Sequence, residues 1–218
     1  MIHYNIVICS PGYDFVAEYI ESLTETISEC HKRNLTVKWL NGQSARVHYA
    51  RELAISADKF DIHIDSKVPF NNQFTYDIIF WIDSDISWSV DSFFKLIDSE
   101  YEVTTGSYLL TDGASTVYTQ EYLGGIPRAL ILNMKEPVKI QSCGFGFIAI
   151  KSGVFEKISR PWFNMVMAPV GKNENGDVFD LLGEDISWCY KAYHSNIDIW
   201  FDPGALVTHH KRVPLGFK

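Results

Sequence analysis

The chain has 218 residues, a formal net charge of −8, and 46% hydrophobic against 21% charged residues. That composition supplies a core and excludes disorder; acidity without a basic, aromatic-interleaved run excludes a nucleic-acid groove. No apolar stretch reaches the roughly 18 residues needed to cross a bilayer, and no basic-then-apolar signal segment opens the sequence. Cys9, Cys30, Cys143 and Cys189 lie far apart, never at Cys-x-x-Cys spacing. They read as reduced thiols and give the expectation of a cytoplasmic protein. The length fits one large domain, or one and a half small ones.

In chain order, "HYNIVICS" (3–10) is a short β-branched run stopped by Pro11-Gly12. Val16, Ile20, Leu23, Ile27 and Cys30 then recur at helical spacing, giving an amphipathic helix that ends near Asn34. "LTVKWL" (35–40) is a second strand, punctuated by Asn41-Gly42, and Ser44 is placed to cap a helix through about Ala57 that carries Arg51 and Glu52. After a polar loop comes "YDIIFWIDSDISWSV" (76–90), an apolar strand that ends abruptly in Asp83-Ser84-Asp85. Strand, helix, strand, helix, strand predicts a parallel sheet with right-handed crossovers. In such sheets ligands sit beyond the carboxyl ends of the strands. Pro11-Gly12, Gly42-Gln43 and Asp83-Ser84-Asp85 all fall at those ends.

The second half is less regular. Residues 91–98 predict a short helix, 102–110 a strand and 111–127 a glycine-containing loop. "RALILNM" and "VKIQS" read as antiparallel strands around Lys135-Glu136-Pro137, and "CGFGFIAIKSGVFEKI" as a glycine-bounded strand followed by a helix from about Ser152. "APVGKNENGDVFD" (168–180) has the composition of a mobile loop, a lid over donor or acceptor. "GEDISWCYKAY" (183–193) opens a helix with two acids, and 196–210 supplies two strand-like pieces.

Two aspartates at the end of a buried strand suit Mg2+ or Mn2+, whose hard coordination spheres also bridge phosphates; a solvated turn is the bland alternative. Glu184 and Asp185 complement a helix dipole by position alone, and either carboxylate is also a candidate general base. His209-His210-Lys211-Arg212 is the densest cationic stretch. Neighbours on a strand face opposite sides, so one histidine is directed at the aspartates. Two surface histidines are the bland alternative; beside the two aspartates, His209 is the expected metal ligand, with Lys211 on the same side available to phosphate. Arg51 reads as ion-paired with Glu52, as a brace for the aspartates, or as a diphosphate contact. Tyr13 is placed either to stack on a base or to pack on the neighbouring helix. Trp81, Trp88 and Trp188 read as core and rim, with Trp88 close enough to the aspartates to keep a sugar-platform role open.

Taken in order, these segments resemble the glycosyltransferases of the GT-A fold: a first strand into the loop Cys9-Ser10-Pro11-Gly12, a helix with Arg51, "FWIDSDI", the glycine-rich strand from Cys143, Gly183-Glu184-Asp185 at a helix start, and "FDPGALVTHH". In size the chain is similar to compact virus- and phage-encoded transferase domains, which implies host cytoplasm for a viral protein. The resemblance implies an α/β, Rossmann-like three-layer sandwich with a mostly parallel central sheet and a smaller antiparallel acceptor-side subregion. It implies one domain over 1–218, with a nucleotide-binding half (about 1–110) and a sugar and acceptor half (about 111–218). It implies a nucleotide-sugar donor, UDP-linked foremost, and a glycan or protein-linked glycan acceptor. Asp85 would bind Mn2+ or Mg2+ directly, Asp83 the ribose or the metal's waters, and His209 would complete the ligands. Ser10, Pro11, Tyr13 and Arg51 would hold the nucleotide, together with Asp83-Ser84-Asp85 and Lys211. Gly144 to Phe147 would line the sugar pocket. Asp185, beside Glu184, would be the base of an inverting reaction; a retaining one requires none. Many relatives carry Asn after the arginine, where this chain has Glu52.

Two readings of other classes stand beside this one. "WIDSDIS" also fits phosphatases that phosphorylate the first aspartate, although those place the motif on the opening strand. A non-catalytic sugar-nucleotide-binding module would bind without turnover.

Overall fold

The computed structural model describes residues 1–57, 68–121, 123–174 and 176–211. The first half of the chain contains β1 (Ile2–Pro11), α1 (Ala17–Lys32), β2 (Val37–Gly42), α2 (Val47–Ser56), β3 (Phe74–Ile82), β4 (Ile86–Ser87), α3 (Val90–Ile97) and β5 (Val103–Ser107). Then follow β6 (Val117–Tyr118), α4 (Arg128–Ile131), β7 (Val138–Ile140), β8 (Ser142–Cys143), β9 (Phe147–Lys151) and α5 (Val154–Lys157). The chain continues with β10 (Met167–Asn173), β11 (Gly176–Leu181), α6 (Glu184–His194), β12 (Ile199–Leu206) and β13 (Thr208–His209).

Seven strands form one mixed sheet in the order β2-β1-β3-β9-β5-β12-β7. β1 runs parallel to β2 and β3, and β5 parallel to β12, whereas β9 is antiparallel to both β3 and β5, and β7 to β12. Five strands therefore point one way, and β9 and β7 against them. Period-2 alternation divides the core cleanly. Val7, Cys9, Ile79, Trp81, Ile148 and Ile150 face one layer with Ile55 of α2 and Trp188 of α6. Ile6, Ile8, Ile78, Phe80, Ile82 and Phe147 face the other, against Tyr19 and Leu23 of α1 and Phe93 of α3. This is a three-layer α/β sandwich. Each wholly buried side chain of β3 contributes about 1.5–3 kcal/mol relative to exposure, so the strand that delivers Asp83 is firmly seated.

Four local expectations change. α2 begins at Val47 with Arg46 as its N-cap residue, and Ser44 instead accepts from the Arg46 amide at 3.1 Å in a turn before the helix. Gly42 passes beneath this helix, where a Cβ would lie 1.8 Å from the Ala50 carbonyl oxygen. Residues 128–131 are helical, not extended: the Leu130 and Ile131 amides donate to the Pro127 carbonyl, and β7 pairs with β12 instead. The segment expected to be a loop at 168–180 is the hairpin β10–β11, its return at Gly176 in positive φ. Cross-strand pairs Met167–Leu181 and Pro169–Phe179 hold it, since β-forming side chains at period 2 outweigh the Gly and Asn content. Trp88 is buried, its Nε1 donating to Thr26 Oγ1 at 2.8 Å, which makes it core rather than a sugar platform.

Candidate active site

β3 ends between β1 and β9, and the Asp83 amide continues its ladder by donating to the Gly146 carbonyl at 3.1 Å. The chain then turns, Ile86 N–H to Asp83 C=O at 3.1 Å, into the short β4, against which β13 runs antiparallel with His209 opposite Ile86. This pairing brings the C-terminal histidines to the aspartates. His209 Nε2 lies 3.2 Å from Asp85 Oδ2, and Lys211 Nζ donates to the same oxygen at 2.9 Å. His210 faces away, 2.7 Å from Ser87 Oγ and 4.0 Å from Glu18. Burial pushes the Asp85 carboxyl up, but the hydrogen bonds and charges of His209 and Lys211 outweigh it and hold the group at about 2. Arg212 lies outside the described residues.

Asp83 is paired differently. Arg51, only 2% exposed, donates through Nη2 to Asp83 Oδ1 at 2.9 Å and presents Nε to Glu184 Oε1 at 3.5 Å. Its guanidinium lies within 5.4–6.0 Å of the rings of Trp81, Phe145 and Phe163. Arg51 thus ties the end of β3 to the first turn of α6 and sits behind the carboxylates rather than in the open cleft. The expected partner Glu52 belongs elsewhere: it accepts from the Phe163 amide at 2.7 Å and pairs with Arg160 at 3.6 Å. Burial raises the Asp83 pKa, opposed by Arg51 and reinforced by Asp85 and Glu184. Asp185 is raised to about 6, by burial first and the Glu184 charge second, although its Oδ1 accepts from the Ile186 amide at 2.8 Å. A carboxyl whose pKa is raised toward neutrality has one property that a general base needs.

Pro11, Gly12, Ser84, Asp83, Asp85, His209 and Lys211 line a cleft of about 340 Å³. Gly12 has φ +138°, and a Cβ there would come within 2.7 Å of Ser84 Oγ, so the β1 loop and the aspartate turn touch through a glycine. Asn41 Nδ2 pins this loop by donating to the Ser10 and Gly12 carbonyls, each at 2.9 Å. The Ser10 side chain, expected on the nucleotide, is buried and engaged with the Tyr19 hydroxyl and Trp39 Nε1. Tyr13 is 62% exposed.

Tyr108, just past β5, was not singled out by any motif, since an aromatic after a strand is commonplace. It lines the same cleft and is 7% exposed. Its hydroxyl accepts the Gly146 amide at 3.2 Å, and its ring meets that of His209 edge-on at 5.0 Å. A Cβ on Gly144 or on Gly146 would come within 2.6 Å of the phenol. The glycines expected to line a sugar pocket therefore make room for Tyr108. Burial, then the charge of Asp83, raise its pKa well above the usual value, with smaller effects from Arg51 and Asp185.

Among the described residues, no group of three or more His, Cys, Asp and Glu side chains is arranged to hold a metal ion. Two ligands nevertheless fit one. His209 Nδ1 is 3.0 Å from the Leu109 carbonyl, which only accepts, so Nδ1 donates there, and Nε2 is the nitrogen left to hydrogen-bond Asp85 or, when bare, to ligate an ion. Two acceptors 3.2 Å apart match neighbouring ligands of a small divalent ion, which bonds each at about 2.1 Å. Lys211 supplies that cationic partner here.

No helix among the described residues is long and apolar enough to cross a membrane. No protein-family profile matches the sequence, and no curated protein does. Solved structures do match in fold. A197 from STIV is 16% identical, covers 98% of both chains and superposes with a TM-score of 0.53. GalNAc-T7, solved with UDP, GalNAc and Mn2+, is 14% identical with a TM-score of 0.51; the match covers 96% of this chain but 44% of that one. At such identities the likeness is one of fold, and the fold is GT-A-like.

Proposed function

We propose that this chain is a glycosyltransferase that moves a sugar from a nucleotide-sugar donor, UDP-linked, to a hydroxyl of a glycan or protein-linked glycan, with Mn2+ or Mg2+ bound. The observation that carries the reading is the convergence of Asp85, His209 and Lys211, drawn from positions 124 and 126 residues apart in sequence, on one cleft at the end of β3. The GT-A-like fold and the UDP and Mn2+ in GalNAc-T7 support it. Asp85 and His209 would hold the ion, which when bound supplies Lewis-acid neutralisation of the departing diphosphate. Lys211 leaves Asp85 for the phosphates, the Gly12 loop receives the nucleotide, and Arg51 keeps Asp83 and Glu184 in register. Asp185 accepts the acceptor hydroxyl's proton if the anomeric centre is inverted.

The test is a panel of nucleotide sugars with and without Mn2+, scored for binding and for hydrolysis or transfer. Binding without turnover favours the non-catalytic module. Release of phosphate from an aryl phosphate with covalent labelling of Asp83 favours the phosphatase reading.

A further inference from the structure

A second concavity, of about 770 Å³, is used by nothing described so far. Its walls are Thr119 to Glu121 with Ile126, Met134 with the run from Val138 to Ser142, the base of the β10–β11 hairpin at Ala168 and Pro169, and α6. Ile186, Cys189, Tyr190 and Tyr193 recur at helical spacing and give α6 one lining stripe. The size is that of a small-molecule site rather than of the flat face that a protein partner covers. Two short stretches of chain wall both this groove and the cleft at the end of β3. Leu182 and Ile186 line the groove, and between them Glu184 lies 3.5 Å from Arg51, which holds Asp83. Ser142 lines the groove, and two residues on Gly144 makes room for Tyr108, which lines the cleft. Two residues span at most about 7 Å, so the two voids share a wall, and a ligand lying against Ile186 is one residue from Asp185.

The lining selects the ligand. Ile126, Met134, Val138, Ile140, Leu182 and Ile186 make it mainly apolar. Thr119, Gln120, Gln141 and Ser142 add neutral polar groups. Among the described lining residues only Glu121, Lys139 and His194 are acidic or basic, and Lys139 is held by Asp198 at 2.6 Å. The groove therefore suits a neutral, apolar ligand, where the cleft with its aspartates, His209 and Lys211 suits a metal and an anion. The apolar surface also continues outward. Strand pairing puts Met167, Pro169, Phe179 and Leu181 on one face of the hairpin. Pro169 lines the groove, while Met167, Phe179 and Leu181 are 60%, 58% and 52% exposed. A compact ligand would fill the groove and leave that strip bare; a long flexible chain covers both. We infer that the groove binds the long hydrocarbon chain of a lipid-linked acceptor, which brings the acceptor's sugar hydroxyl to the cleft. This rests on the transferase reading.

The chain is tested first without donor. Binding of methyl, butyl, hexyl and octyl glucosides, each below its micelle concentration, is measured by calorimetry. Kd should fall about 2- to 4-fold for each added methylene, 4-fold corresponding to complete burial. Met134→Asp should flatten the series, and a photoreactive group at the end of the octyl chain should label α6 or the β10–β11 hairpin of the wild type. A Kd independent of chain length, an unchanged slope in Met134→Asp, or labelling confined to other elements overturns the inference and leaves the transferase reading intact. The labelling needs no variant, so it decides the matter if Met134→Asp fails to fold. With a donor and an acceptor sugar that the wild type uses, the octyl glycoside should then show a KM at least about 10-fold below that of the methyl glycoside at similar kcat. Equal KM values overturn the acceptor role. Chain binding with no nucleotide sugar bound or turned over overturns the transferase reading, and the acceptor role with it.

Discussion

Arg51→Ala is the most informative perturbation, because Arg51 joins two elements by charge while wholly enclosed. The guanidinium is 2% exposed, 2.9 Å from Asp83 and 3.5 Å from Glu184, and three aromatic rings surround it. Removing one partner of a buried pair costs about 3–5 kcal/mol. Asp83 is 27% exposed, so water recovers part of this, and loss of the ring contacts adds about 0.5–2 kcal/mol. The net expectation is roughly 3–4 kcal/mol, a large share of a typical 5–15 kcal/mol stability. For a chain of this length that lowers Tm by roughly 6–16 °C. Arg51→Lys retains charge without a fork that reaches both acids, and should fall between. The sign with pH follows from the same pairs. Arg51 opposes the raised pKa values of Asp83 and Asp185; without it both carboxyls take protons more readily. The deficit of Arg51→Ala should therefore be largest well above pH 6, where both carboxyls are ionised in both proteins, and smaller at pH 4.5. Thermal melts of the three proteins at pH 7.5, 6.0 and 4.5 decide it. An alanine variant melting within 2 °C of wild type at pH 7.5 would refute the brace.

Asp185→Asn should stabilise the fold and abolish its chemistry. The folded-state pKa of about 6 lies above the ordinary value of 3.8, so folding is penalised as pH rises through 4–6, and the neutral isostere gains Tm at pH 7.5 but not at pH 4. If Asp185 is the base, kcat/KM falls at least about 100-fold, and the wild-type profile rises with pH to a plateau above about 6; an active Asn variant removes the assignment. His209→Ala should weaken Mn2+-dependent UDP binding in calorimetry by more than the 10–100-fold typical of an outer-shell partner, and His210→Ala should leave it within about 3-fold. The reverse ranking would show that the register of β13 and β4 differs from the one described. Gly146→Ala places a methyl 2.6 Å from the Tyr108 ring and should cost about 1–3 kcal/mol in urea unfolding, against a near-neutral result for Gly171→Ala, where a Cβ meets open space.

Much was legible from the chain alone where the information is local. The five apolar residues before Asp83 announced a central strand, and period 2 alone put His209 and Lys211 on one side and His210 on the other. The acids of α6 marked its first turn. Pairing at long range was not legible, because periodicity says which face a side chain takes and not which distant strand becomes its neighbour. The insertion of β9 antiparallel between β3 and β5 decided that Gly144 and Gly146 meet Tyr108 rather than an open pocket. Helix α2 settled against the sheet with Arg51 toward α6 and Glu52 toward Phe163, reversing the adjacent pairing that sequence proximity suggests; neighbours on a helix point about 100° apart and do not face each other. The hairpin β10–β11 was obscured for the converse reason. Its turn residues dominate its composition, whereas its stability lies in cross-strand pairs that exist only once the two halves are opposite one another.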